Sequence, residues 1–169
     1  MIIWFKGISG VGKSTLGNYF YKIKKNKIKN LIYVDGDNFR KLFKNDLGYS
    51  LKDRNINAER ICAFVKFLQS QKINVIVSAN LTSKKYQILS KKIYRNYLSI
   101  YIESGLSNLK KRDKKNIYKN RKNIVGLNIK FDKPKNSDLY IINDGTKKKF
   151  LKNIKLIETL IQRKKLVYD

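Results

Sequence analysis

The sequence predicts an α/β domain with a parallel five-stranded sheet covered by helices on both faces. Three observations lead there. Five short apolar runs are β-branched or aromatic and barely alternate with polar residues, as strands buried on both faces require. Longer segments with helical spacing separate the runs, and this βαβ order implies parallel pairing through crossover helices. Finally, no internal repeat or Pro/Gly-rich linker interrupts the pattern, so residues 1–169 are expected to form one domain.

The elements follow in order. Ile2–Phe5 is the first strand, and a glycine-rich turn leads from it into a helix over Lys13–Lys25. Leu31–Val34 is the second strand. Helical spacing then covers Ile56–Gln71, where Ile61, Phe64, Val65 and Leu68 fall on one stripe. Ile73–Val77 is the third strand, Ser83–Tyr94 a helix, and Leu98–Ile102 the fourth strand. A short helix at Leu106–Lys111, the strand Leu139–Ile142 and a helix over Lys147–Arg163 complete the chain. Residues 112–136 stand apart. They are basic and weakly periodic, and so long a connection in a compact domain is usually functional, which makes a lid the expectation.

Composition narrows the function classes. No stretch reaches the roughly 20 apolar residues of a membrane helix. The start, Met1 to Phe5, has no basic lead and reads as a strand, not a targeting segment. A lone cysteine, Cys62, excludes an internal disulfide and favours a cytoplasmic address. The formal net charge of +27 raises nucleic-acid binding as a reading, because lysines and arginines release counterions from phosphates. The lysines are nevertheless spread along the whole chain together with Ile and Asn. Lys22 to Lys29 and Lys147 to Lys149 therefore read as solvated faces, with no nucleic-acid partner and no membrane expected. Such a positive field still draws in anionic small molecules.

The chemistry begins at Gly7-Ile8-Ser9-Gly10-Val11-Gly12-Lys13-Ser14, which satisfies G-x-x-x-x-G-K-[ST] between a strand and a helix. Glycines leave room for backbone N–H groups to point inward as an anion nest, and the helix N-terminus adds partial positive charge. Lys13 is placed to reach the β- and γ-phosphates of ATP, and the Ser14 hydroxyl to ligate Mg2+. Gly7, Ser9, Gly10, Val11, Gly12, Lys13, Ser14 and Thr15 are thus the expected ATP-binding residues. The absence of an N-K-x-D signature argues against a GTPase.

The second strand runs into Asp35-Gly36-Asp37-Asn38-Phe39-Arg40. In a chain with twelve acidic and thirty-nine basic residues, two carboxylates one glycine apart at a strand's C-terminal edge stand out. Ligands of open α/β sheets bind at that edge. There a carboxylate can take a proton from a substrate hydroxyl or hold a magnesium-bound water. Asp35 is the expected catalytic and metal residue, while Asp37 or Asn38 suits a helix cap. Arg40 can pair with a substrate anion.

With these residues in place the chain resembles the adenylylsulfate (APS) kinase family. The likeness runs from Gly7 to Thr15, through Asp35 to Arg40, and resumes at Asp46-Leu47-Gly48-Tyr49-Ser50, Asp53-Arg54 and Asn57 to Arg60. It continues in Lys111-Arg112-Asp113-Lys114-Lys115-Asn116-Ile117-Tyr118-Lys119 and from Asn123 to Leu139, in order and over residues 1 to about 142. The resemblance implies a three-layer P-loop kinase fold with a basic lid, and transfer of the ATP γ-phosphate to a ribose 3′-hydroxyl. Asp35 would polarise that hydroxyl. Arg40, Arg54 and Asn57 would hold the 5′ anionic group and ribose, with Asp37 beside them. Tyr49 and Phe131 would sandwich the base, although both also suit ordinary packing positions. Leu81 and Thr82 fall in the family's pocket-lining segment. Lys115 belongs to the lid and would meet the substrate, while Arg112 would meet ATP. A homodimer is also implied.

Departures concentrate on the acceptor side. Where the family reads close to S-F-I-S-P-Y-R, this chain has Ala79-Asn80-Leu81-Thr82-Ser83-Lys84-Lys85, and Lys41 replaces a usual histidine. The expectation is a kinase of the same mechanism acting on another nucleoside 5′-phospho-anhydride, cytidine diphosphoramidate, with APS the alternative acceptor. A nucleic-acid-stimulated ATPase is the rival from another class.

Overall fold

The computed structural model describes residues 1–44, 46–113 and 122–166. Five strands, β1 (Ile2–Lys6), β2 (Leu31–Asp35), β3 (Asn74–Ser78), β4 (Tyr97–Glu103) and β5 (Leu139–Ile142), pair in the order β2-β3-β1-β4-β5. Every pairing is parallel, with Asp35 opposite Ser78 and Lys6 opposite Tyr101. The helices are α1 (Lys13–Lys24), α2 (Gly36–Lys41), α3 (Leu51–Ser70), α4 (Lys84–Ile93), α5 (Leu106–Lys111), α6 (Lys147–Leu151) and α7 (Ile154–Arg163). The five expected strands are all present, with no end shifted by more than one residue.

The two faces of the sheet bury separate cores, which is why the strand sequences show no polar alternation. Ile3 and Phe5 of β1 face Leu16 and Phe20 of α1 together with Phe150 and Ile157. Ile2 and Trp4 face Ala58, Ile61 and Val65 of α3 and Tyr86 of α4. At roughly 25 cal/mol per Å² of apolar surface removed from water, these two layers are the main favourable term in folding.

Three expectations need correction. The predicted helix over 147–163 is two helices, broken at Lys152 and Asn153. Thr146 caps the first through the Lys149 N–H, and the break lets Phe150 and Ile157 both reach the core. Helix α3 begins at Leu51, five residues before the expected start at Ile56. Ser50 and Asp53 form a capping box there, satisfying N–H groups that would otherwise lack partners. The cap of α2 is Asp35 itself, not Asp37 or Asn38: its carboxylate accepts from both of their backbone N–H groups.

Of the segment expected to form the lid, residues 112, 113 and 122–136 are described, and the last stretch includes well-packed positions. Ile124, Val125 and Ile129 are buried, and Val125 bridges to Ile129 in a tight turn. Lys115 lies outside the described residues. No helix among the described residues is long and apolar enough to cross a membrane.

Candidate active site

A cleft of about 530 Å³ opens at the C-terminal edge of the sheet, where β1, β2 and β3 end. Its floor is the loop between β1 and α1. Gly7 and Gly12 have φ of +143° and +103°, a region that L-residues with a Cβ rarely adopt. Space forbids a side chain as well. A Cβ on Gly7 would lie 2.2 Å from the Ile102 carbonyl oxygen, and one on Gly12 would lie 2.8 Å from Asn143 Nδ2. Asn143, buried just past β5, donates from Nδ2 to the Val11 carbonyl at 2.8 Å and so ties the loop to the far side of the sheet. Sequence reasoning missed Asn143. Its only local signal is a buried polar residue at the C-terminal end of a strand.

Lys13 opens α1. Its ammonium donates to the Ile8 carbonyl at 2.8 Å, lying back along the loop. Burial pushes its pKa down to about 8 against the opposing pull of Asp37 and Asp35, with the nearby Arg54 charge adding to the fall. An anionic ligand in the loop would add to the pull of those carboxylates and favour the ammonium form.

Asp35 ends β2, and its two oxygens have separate tasks. Oδ1 accepts the Asp37 and Asn38 N–H groups at 3.1 and 3.3 Å. Oδ2 accepts the Ser14 hydroxyl at 2.6 Å and the Tyr33 hydroxyl at 3.2 Å. Tyr33 is held protonated, its pKa pushed up to about 12 mainly by burial. The carboxylate is therefore fixed from four directions and touches the phosphate loop. A hydroxyl and a carboxylate oxygen at this separation are hard donors of the type Mg2+ uses, with waters and phosphate oxygens completing its shell.

The opposite wall is cationic and aromatic. Arg40 is buried and donates to the Gly48 carbonyl at 2.5 Å. Arg54 donates to the Tyr49 and Asn123 carbonyls at 3.0 and 2.9 Å. Their guanidinium carbons lie 4.9 and 5.4 Å from the centroid of the Tyr49 ring, which is 43% exposed. Burial and the neighbouring Arg40 charge lower the pKa of Arg54. Two cations held this close is an arrangement that favours an anion between them. Arg112 lines the cleft mouth and anchors itself on the Asn143 carbonyl and the Ser104 hydroxyl, at 2.6 and 2.5 Å.

The fold therefore gathers Ser9, Gly10, Gly12, Lys13, Ser14, Thr15, Asp35, Asp37, Arg40, Tyr49, Arg54, Asn57 and Arg112 around one cleft. Gly7 and Val11 shape the loop from behind, Val11 being fully buried. Leu81 and Thr82 are buried and do not line the cleft. Phe131 also lies away from it, stacked on Tyr101 at 6.1 Å, so this arrangement does not pair it with Tyr49.

The profile of the adenylylsulphate kinase family matches residues 1–142. The chain belongs to that family. Among its relatives, the cytidine diphosphoramidate kinase of Campylobacter jejuni is 37% identical over 161 residues, covering 92% of this chain and 93% of that protein. The adenylyl-sulfate kinase of Buchnera aphidicola from Acyrthosiphon pisum is 31% identical over 168 residues, covering 93% and 80%. A solved Mycobacterium tuberculosis APS kinase, in complex with AMPPNP and APS, superposes with a TM-score of 0.83 at 24% identity, covering 95% and 96% of the two chains. At that identity the structural likeness speaks for the fold, a three-layer P-loop kinase architecture shared with a shikimate kinase from Aquifex aeolicus at a TM-score of 0.59. The protein is thus a kinase, an enzyme that transfers phosphoryl groups to a hydroxyl acceptor.

Proposed function

We propose that this kinase transfers the γ-phosphoryl group of ATP to the ribose 3′-hydroxyl of a nucleoside 5′-phospho-anhydride, with cytidine diphosphoramidate as the acceptor. The observation that carries the reading is the contact between Asp35 and Ser14: it sets a fixed carboxylate against the phosphate loop, at the meeting point of donor and acceptor halves. Asp35 Oδ2 orients the acceptor hydroxyl and takes its proton as the new O–P bond forms and the bond to the β-phosphate oxygen breaks, releasing ADP. Lys13 and the loop N–H groups hold the triphosphate and spread its developing charge. Magnesium, when bound, neutralises phosphate charge, and Ser14 and Asp35 are the residues that would hold it. Arg40 and Arg54 hold the acceptor's 5′ anionic group, and Tyr49 offers a π face to the base, a contact that tolerates different bases.

The choice of acceptor is supported by the 37% relative named for cytidine diphosphoramidate and by the loss of the aromatic, proline and arginine residues around Asn80. APS is the second reading, supported by the relatives named adenylyl-sulfate kinases. Coupled ADP release should be followed with cytidine diphosphoramidate and APS in parallel, with phosphorus NMR locating the new phosphate. Faster turnover of the cytidine compound with a 3′-phosphate product is expected. A large preference for APS overturns the acceptor assignment, and ADP release unaffected by any acceptor overturns the nucleotide kinase.

A further inference from the structure

The wall of one corner of the cleft holds hydrogen-bond acceptors that the protein leaves unused. Asn57, on α3 and 6% exposed, donates from Nδ2 to the Gly36 carbonyl at 3.4 Å. A carbonyl only accepts, so this contact fixes the amide orientation and leaves Oδ1 as the open atom. Among the described residues that oxygen is buried without a partner, and so is Oδ1 of Asn80. Both residues line the cleft. They belong to one corner: Gly36, which receives Asn57, lies so close to Ala79 that an added Cβ would sit 3.0 Å from the Ala79 Cβ. Asn80 is the next residue, held there because the Ala79 carbonyl accepts the Trp4 indole N–H at 2.9 Å. Leaving a buried acceptor unpaired is costly, and two in one corner of a ligand cleft call for a donor from the ligand.

We infer that Asn80, supported by Asn57, is a specificity-determining residue that accepts a hydrogen bond from an N–H on the terminal 5′ group of the acceptor nucleotide. The inference rests on the nucleotide-kinase reading above and deepens it. A terminal phosphoramidate carries an amine that donates. A sulfate or a terminal phosphate of the same shape presents oxygen lone pairs to the same amide oxygens and gains nothing from them. Arg40 and Arg54 attract all three groups through their negative charge, so charge alone does not separate them. The unpaired amide oxygens do. A site built to pair with a polar group discriminates strongly against an analogue that lacks it.

The test compares cytidine diphosphoramidate with cytidine diphosphate, which share base, ribose and overall shape and differ by NH2 against oxygen. The native enzyme should favour the amine-bearing compound in kcat/KM by about tenfold or more. Asn80→Leu should lose most of that ratio. Asn80→Asp, which keeps size and acceptor, should retain it, and thermal melting of each variant confirms folding. An unchanged ratio in Asn80→Leu overturns the inference. So does a loss of the Asn80→Leu effect in 2′-deoxy acceptors, because the donor would then be the ribose hydroxyl. In both outcomes acceptor-dependent ADP release persists, so the kinase reading survives. Its own failure is recognised separately, by the absence of turnover with every nucleotide.

Discussion

Asp35 is both the cap of α2 and the proposed catalytic carboxylate, and two substitutions separate these roles. In Asp35→Asn the remaining amide oxygen can still accept the Asp37 and Asn38 N–H groups, since Asn and Asp are near-equal N-caps. The new amide nitrogen faces the Ser14 and Tyr33 hydroxyl oxygens, both able to accept. The fold should therefore lose less than about 1 kcal/mol, equivalent to about 2–4 °C in Tm for a chain of this size. Asp35→Ala removes the cap and leaves two α2 N–H groups without a partner, which should cost about 0.5–2 kcal/mol. Turnover should respond in a different order. Both variants lack a carboxylate to take the hydroxyl proton, so kcat should fall by about 10²–10⁴ in each. Coupled ADP release at saturating ATP and acceptor, read beside urea unfolding of the same preparations, makes the comparison. An Asp35→Asn enzyme with near-native kcat would refute the assigned chemistry. One that unfolds as readily as Asp35→Ala would refute the cap argument.

Two further outcomes follow from the loop. Lys13 has a pKa lowered to about 8, so above that pH the ligand-free fold holds it neutral while the unfolded chain keeps its proton. With its pKa depressed by burial, the lysine destabilises the folded state below pH 8, and that penalty is relieved as pH rises. Triphosphate binding needs the ammonium, so the sign for binding is opposite. Apparent ATP affinity should be flat below pH 8 and then weaken towards a limiting slope of about tenfold per pH unit, and Lys13→Arg should abolish the break. Equilibrium ATP titrations at pH 7, 8 and 9 check this, and a flat profile in the native enzyme contradicts it. Asn143→Ala removes the donor to the Val11 carbonyl and should destabilise the protein by about 1–3 kcal/mol. It should also raise the KM for ATP more than it lowers kcat. Denaturant melts with steady-state kinetics measure both, and native values for each would show that the tether is dispensable.

The correspondence between sequence and structure is uneven for physical reasons. The central strands were readable because both sheet faces are buried there, so Ile2–Phe5 or Val75–Val77 must be apolar throughout. The phosphate loop was readable because its backbone needs positive φ and close approach, which restricts Gly7 and Gly12 to glycine. The helix breaks were harder to see. In 147–163 the buried residues Phe150, Ile154, Ile157 and Ile161 keep helical spacing straight through, so a two-residue break hardly disturbs the period. In residues 122–136 the basic composition masks the burial of Ile124, Val125 and Ile129.

By itself, then, the amino-acid order determined the α/β class, the anion-binding loop and a carboxylate at the end of the second strand. Each of these follows from backbone geometry and burial within a few neighbouring residues. Tertiary structure alone decided the strand order, the tie between Asn143 and Val11 across 132 positions, and the flanking of Tyr49 by Arg40 and Arg54. It alone also brought Asn57 and Asn80 into one corner with their amide oxygens unpaired. Hydrogen-bond satisfaction is a property of the folded surroundings: an asparagine's letter is the same whether its oxygen is paired or waiting for a ligand.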